Sequence, residues 1–298
     1  MSSHRASLLA RARRVVIAGG VLLSAVSLAG LIAIRISSND STLSAATVSD
    51  LQQIEVHTKD YAFEMPASMR AGLTQVTLVN DGKEPHHLWI LKLEQGKKLA
   101  DVFEALKNAQ HGFPKWVVNV GGPNSPVPGG KSIALMDLEP GHYAVICVIP
   151  APDGQPHVMK GMAKEFDVVG ERTAAVMPKV DIEADLRDYD FVFSKSLAAG
   201  RNVIRFTNSA KQVHEAFIAK LEPGKRAADL LAWMAKPEGP PPGIPMGGIT
   251  GIETGRTISI ALDVSPGNYA FYCFVPDAKD GREHVAHGMM KEFTVEAR

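Results

Sequence analysis

The chain lacks the short signatures by which most catalytic centres are read. It has no serine nucleophile motif, no phosphate-binding glycine loop and no zincin motif. No His-x-His pair occurs, and neither of its only two cysteines, Cys147 and Cys273, is flanked by histidine. It has no net charge, with 32 basic and 32 acidic residues, but the balance is uneven. Residues 1–50 carry five arginines against Asp40 and Asp50, which leaves the remainder about three charges negative. Without a basic stripe in that remainder, a nucleic-acid partner is excluded. No cysteine stands near the N-terminal apolar run, which excludes a lipoprotein. What is present, 45% hydrophobic and 21% charged residues over 298 positions, is ordinary globular composition with room for two domains.

The N-terminus explains the uneven charge. Residues 1–14 form a basic tail, and residues 15–34, VVIAGGVLLSAVSLAGLIAI, carry no charge at all. Twenty apolar or small residues can span a bilayer as a helix, whereas a cleavable signal usually has a shorter apolar region. Arg35 follows at once and small residues suited to cleavage come only near Ala45 and Ala46, so the expectation is an uncleaved transmembrane helix. The alternative is a signal removed on export to the periplasm. On either reading the arginines stay in the cytoplasm and the rest is extracytoplasmic, joined to the membrane by a linker over 35–51.

Beyond the linker the chain repeats itself. KLEQGKK (92–98) aligns with KLEPGKR (220–226), LEPGHYAVIC (138–147) with VSPGNYAFYC (264–273), and HVMKGMAKEFDV (157–168) with HVAHGMMKEFTV (284–295). Two domains follow, over 52–170 and 181–298, joined by 171–180. Within each, short β-branched runs such as QVTLVN, HLWILKL and KSIALMDL are bounded by NDG, EPG and PDG turns, as strands should be. One helix interrupts each copy, KLADVFEALKNA (98–109) and AADLLAWMAK, followed by a Gly/Pro-rich loop. The fold class is therefore all-β: two tandem β-sandwiches, each with one short inserted helix, after the N-terminal transmembrane helix. Equivalent positions in separate sandwiches seldom approach closely enough for a disulfide, so each cysteine needs its own explanation.

That explanation lies in what recurs with it. Cys147 is followed by His157 and Met162, and Cys273 by His284 and Met289; earlier in each copy stand His86 and His214. Tyr143 and Tyr269 share a strand face with their cysteines and read as buried anchors. Two imidazoles, a thiolate and a thioether form the ligand set of a blue-copper centre. PGHYAVIC with HVMKGM, PGNYAFYC with HVAHGM, and the upstream VTLVNDGKEPHH and IRFTNSAKQVHE resemble the cupredoxin family, plastocyanin-like type 1 copper domains in particular. The resemblance implies two Greek-key sandwiches with one type 1 Cu each. His86, Cys147, His157 and Met162 would hold the first ion, and His214, Cys273, His284 and Met289 the second. The chain departs from the family in three places. Nine and ten residues separate cysteine from the second histidine, His87 and Glu215 stand where the family has Asn, and Val148 or Phe274 follows cysteine.

The remaining candidates are assigned elsewhere. His87 is an alternative to His86, but only His86 has a histidine twin. His287 aligns with Lys160 and, like His57, His111 and His142, is expected at the surface, while Met159 and Met290 are expected to pack. The functional expectation is a membrane-tethered, exported electron-transfer protein serving redox partner proteins. A copper sequestration or delivery protein, and an interaction module with vestigial sites, are the alternatives. Oxidases and nitrite reductases of this family build further copper sites from histidines beside the type 1 cysteine, so the chain is expected not to be an enzyme.

Overall fold

A computed structural model describes residues 51–108 and 112–297. The proposed transmembrane segment and His111 lie outside the described residues, and among those residues no helix is long and apolar enough to cross a membrane.

The first half contains β1 (Gln52–Lys59), β2 (Ala62–Glu64), β3 (Ser68–Arg70), β4 (Gly72–Asn80), β5 (Trp89–Leu93), helix α1 (Leu99–Asn108), β6 (Val117–Gly121), β7 (Lys131–Leu138), β8 (Gly141–Ile146) and β9 (Ala163–Val169). The second half repeats all of them but β3, as β10 (Ile182–Arg187), β11 (Asp190–Phe193), β12 (Gly200–Asn208), β13 (His214–Leu221), helix α2 (Ala227–Ala235), β14 (Gly243–Ile252), β15 (Thr257–Val264), β16 (Gly267–Tyr272) and β17 (Met290–Val295). Strands predominate, as the alternation of apolar and polar residues requires. β10, for example, buries Ile182, Ala184 and Leu186, while Glu183 is exposed and Asp185 half-buried between them.

Each half packs one sheet from its early strands against a second that carries the cysteine. In the first half the second sheet runs β3-β9-β8-β5-β6, and in the second half β14-β13-β16-β17. The other two sheets are not separate. They join edge to edge through β7 and β15 into one eight-stranded sheet, β11-β10-β12-β15-β7-β4-β1-β2. The sequence predicts two sandwiches in tandem; the structure fuses them, and one large cluster of buried apolar residues draws on both halves, with two smaller clusters beside it. The physical reason is the strand edge. β7 and β15 would each present unpaired backbone groups, and pairing them satisfies both at once.

The fusion is internally two-fold. Ala134 pairs with Ile260, and Pro123 bridges Ile249, in each case a residue opposite its own repeat counterpart 126 positions on. That is the pattern of an isologous dimer interface, here made within one chain. Side chains reinforce it: Trp89 donates its indole N–H to the Gly251 carbonyl at 3.0 Å, and Thr250 Oγ1 donates to the Leu88 carbonyl at 3.2 Å. Tyr143 and Tyr269 are buried anchors, their hydroxyls donating to the carbonyls of Glu139 at 2.7 Å and Ser265 at 2.9 Å.

Candidate metal centres

The unusually long stretch between cysteine and histidine is a paired excursion. Cys147 follows the end of β8; the chain leaves, turns, and comes back hydrogen-bonded to itself. His157 N–H donates to Ile149 O at 2.9 Å, Val158 N–H to Cys147 O at 2.7 Å, and Ala151 N–H to Gln155 O at 2.8 Å. The second copy repeats this with His284 to Val275 at 2.9 Å, Val285 to Cys273 at 2.8 Å and Asp277 to Arg282 at 2.7 Å. The extra residues therefore extend a hairpin without moving the histidine away.

Each histidine opens one turn of 3-10 helix, His157–Lys160 or His284–His287. Gly161 and Gly288 end these turns at φ 99°, a left-handed conformation that glycine adopts without strain. The reversal lets Met162 N–H donate to His157 O at 3.0 Å while Met162 O accepts from Cys147 N–H at 3.2 Å; Met289 makes the same pair of bonds at the same lengths. Each methionine is thus fastened beside both the cysteine and the histidine, and each is fully buried.

The upstream histidine completes each group, His86 from the loop after β4 and His214 from the start of β13. In the first, His86 Nδ1 lies 3.1 Å from His157 Nδ1, which lies 3.5 Å from Cys147 Sγ. In the second, Cys273 Sγ lies 3.4 Å from His284 Nδ1 and 3.7 Å from His214 Nδ1. In each group the three donor atoms fall within 4.8 Å of one another and all three residues are buried. Both cysteines are free.

Electrostatics prepares the histidines. Burial lowers the pKa of His86, His157 and His214, and brings His284 down to about 4, so all four are neutral with a lone pair to give. Burial pushes the Cys147 thiol up to about 12 and Cys273 well above its ordinary value. A metal entering either group must therefore displace a thiol proton. Softness and geometry agree, and the two groups fit type 1 Cu sites, one per domain.

Behind the histidines stand residues that sequence reading missed. Asp60 Oδ1 lies 3.2 Å from His86 Nε2, Glu84 Oε2 2.9 Å from His157 Nε2, and Asp188 Oδ1 2.8 Å from His214 Nε2. Such carboxylates fix ring orientation and leave Nδ1 facing inward. Tyr61 and Tyr189 pack edge-on over His157 and His284, with ring centroids 5.1 and 5.4 Å apart. Both tyrosines have positive φ, 68° and 91°, at a turn position where glycine is the default. Holding them there costs roughly 1–3 kcal/mol each, a strain opposed by the ring contact and by hydroxyl bonds to Glu84 at 2.9 Å and Asp277 at 2.5 Å. The signal was legible: KDYAFE (59–64) recurs as RDYDFV (187–192), outside the ligand segments.

His87 and Glu215, which stand where the resemblance implies Asn, both hold the cysteine loop. His87 Nε2 accepts the Val148 N–H at 3.0 Å, and Glu215 Oε1 accepts the Phe274 N–H at 2.9 Å, so each braces the residue after cysteine. Glu215 Oε2 in turn accepts from Asn124 of the other domain at 3.3 Å, which ties the second group to the first domain. Glu215 is buried, and burial raises its carboxyl from 4.5 to about 7. In the metal-free chain the folded state therefore holds a proton that the unfolded state releases. The stability this contributes is full below about pH 4.5 and is lost as pH rises through about 7. Glu215→Gln is accordingly expected to gain about 3 kcal/mol relative to the native chain between pH 4.5 and 8, read as the difference between their urea unfolding curves.

Of the other candidates, His57 and His142 are partly exposed on surface carboxylates, and Met290 is half-buried. Met159, expected to pack, is 61% exposed at the rim of the first turn. His287, expected at the surface, is partly buried against the Tyr189 ring at 4.9 Å.

No family model and no curated protein matches the chain. Among solved structures, a reduced auracyanin from Roseiflexus castenholzii is 21% identical, covering 40% of this chain and 98% of its own at a TM-score of 0.29. A blue copper oxidase from Nitrosomonas europaea is 13% identical over 83% of this chain and 86% of its own, at 0.22. A copper-containing nitrite reductase from Thermus scotoductus is 11% identical over 83% and 61%, at 0.24. Likenesses this weak transfer no substrate or partner. They do overturn one expectation, that the chain is not an enzyme, because the structures alike over most of its length include oxidases and a nitrite reductase. The expectation failed because absent His-x-His pairs exclude one way of building a further copper site, not chemistry at the sites present. Its sheets and its paired ligand groups give the chain an all-β, cupredoxin-like fold in two tandem copies, each with one His-Cys-His group.

Proposed function

We propose that the chain is a type 1 copper protein that accepts and donates single electrons, one ion in each domain. His86, Cys147, His157 and Met162 hold the first, and His214, Cys273, His284 and Met289 the second. The observation that carries the reading is the duplicated convergence of two Nδ1 atoms and one Sγ in fully buried surroundings. Bound there, copper supplies a one-electron couple with a strongly covalent thiolate bond. The protein's part is to keep the imidazoles neutral, to lock their Nε2 sides on carboxylates or under tyrosine, and to exclude water.

Burial favours relay over delivery, since a delivery protein must expose its ion to hand it on, and both groups lie behind a strained tyrosine turn. The N-terminal segment, residues 15–34, supports tethering of Greek-key domains on the extracytoplasmic side, where redox partner proteins are the natural donors and acceptors. Copper(II) loading of the purified chain is expected to give two equivalents per chain and an intense blue band that reductant bleaches reversibly. A colourless loaded protein would sink the proposal.

A further inference from the structure

The two domains differ in a concerted way just outside the second group. In the first domain, Lys160 sits over the Tyr61 ring at 5.1 Å and pairs with Asp153 at 2.5 Å. In the second, His287 takes the place of Lys160, over the Tyr189 ring, with Nε2 3.2 Å from Asp280, the counterpart of Asp153. Asp277 replaces Ala151, and Gln212 replaces Glu84. The first cap thus sets the carboxylates of Asp60, Glu84 and Asp153 against one ammonium. The second sets Asp188, Asp277 and Asp280 against an imidazole.

Domain two has therefore lost a built-in cation and gained a metal-ligating side chain at the same place. Oxygens of Asp277 and Asp280 and a ring nitrogen of His287 fall within 4.8 Å of one another. Asp277 is 1% exposed and already anchored by Tyr189 and by Gln212 at 3.0 Å, so its carboxylate is rigid, while Asp280 and His287 reach solvent and leave a path in. A second, independent feature points to the same spot. His284 Nε2 is fully buried, has no hydrogen-bond partner, and lies 3.8 Å from Asp277 Oδ2, whereas its twin His157 is directly bonded to Glu84.

We infer that Asp277, Asp280 and His287 form a separate site for a divalent cation of the zinc class, present in the second domain and, among the described residues, without a counterpart in the first. Two carboxylate oxygens and one imidazole nitrogen suit such ions and leave coordination positions open to solvent. The ion supplies the charge that Lys160 supplies in the first domain.

The test uses the full chain, given two equivalents of copper(I), which the cysteine groups hold in preference to carboxylates, and then titrated with zinc(II) by calorimetry before oxidation, beside H287K and D280N. H287K restores the first domain's own arrangement and D280N alters an exposed side chain, so both variants should fold. The native chain is expected to bind one zinc equivalent that both variants lose, with the same blue band in all three. If the native chain takes up no zinc, or if either variant keeps the equivalent, the inference is overturned. Loss of the blue band alone, with the zinc difference intact, overturns the copper reading and leaves this one standing.

Discussion

Replacing Cys273 with serine is expected to remove one of two blue chromophores and leave the other untouched; Cys147→Ser should do the reverse, and the double variant should be colourless. The thiolate is the one ligand in each group whose bond to copper(II) produces the intense colour, and a serine hydroxyl, harder and far less acidic, cannot replace it. The geometry makes the assignment clean. Cys147 Sγ stands 3.5 Å from His157 and Cys273 Sγ 3.4 Å from His284, each within its own domain. The fold should survive, because serine is nearly isosteric, although a buried hydroxyl without a good partner costs about 1–3 kcal/mol. Copper stoichiometry and absorption of the four proteins decide the matter. A single variant that keeps the full native band would show that its domain holds no type 1 site.

One coupling is expected to complicate this independence. Glu215, which braces the loop after Cys273, is itself held by Asn124 from the other domain, while His87 braces the first loop without such help. The second group is therefore completed across the fused interface, and the first is not. Any distortion in the first domain's Gly/Pro-rich loop, where Asn124 lies, should reach the second copper before the first.

How much of this the sequence carried is best seen residue by residue. The eight ligand candidates were legible because they recur in order, and a duplicated order is hard to produce by packing alone. The long Cys-to-His gap looked like a weakness only because sequence spacing says nothing about backbone pairing; bonds from His157 to Ile149 and from Val158 to Cys147 fold it into a hairpin. Asp60, Tyr61, Asp188 and Tyr189 were missed because they sit some 26 residues from the nearest ligand histidine and act through a strained turn. The fusion of the two sandwiches left no local trace either. A strand that pairs with a foreign edge is written in the same apolar alternation as one that does not.

Two glycines at that fusion carry the largest stability effect expected. Gly122 and Gly248 are repeat counterparts, at φ 156° and 113°, and the carbonyl of each accepts a bond across the interface: Gly122 O from Thr250 N–H at 2.9 Å and Gly248 O from Asn124 N–H at 3.0 Å. A Cβ on Gly122 would lie well inside contact distance of the Leu88 carbonyl oxygen, and one on Gly248 would meet the Ala216 carbonyl in the same way. Backbone cannot rotate aside as a side chain can, so the loop carrying His86 or the strand carrying His214 would have to move. Gly248→Ala is therefore expected to cost about 3 kcal/mol or more, a fall in Tm of roughly 6–12 °C at this chain length. It should also loosen copper at the second site more than at the first, because Ala216 follows Glu215 and His214 directly. Gly255→Ala is the control: its φ of 80° is strained, yet nothing lies within 4 Å of the added methyl. That change should cost only about 1–2 kcal/mol and leave both copper sites alone. Equal losses for Gly248→Ala and Gly255→Ala in a thermal scan would show that close backbone approach at the fused interface is not what holds the second site in place.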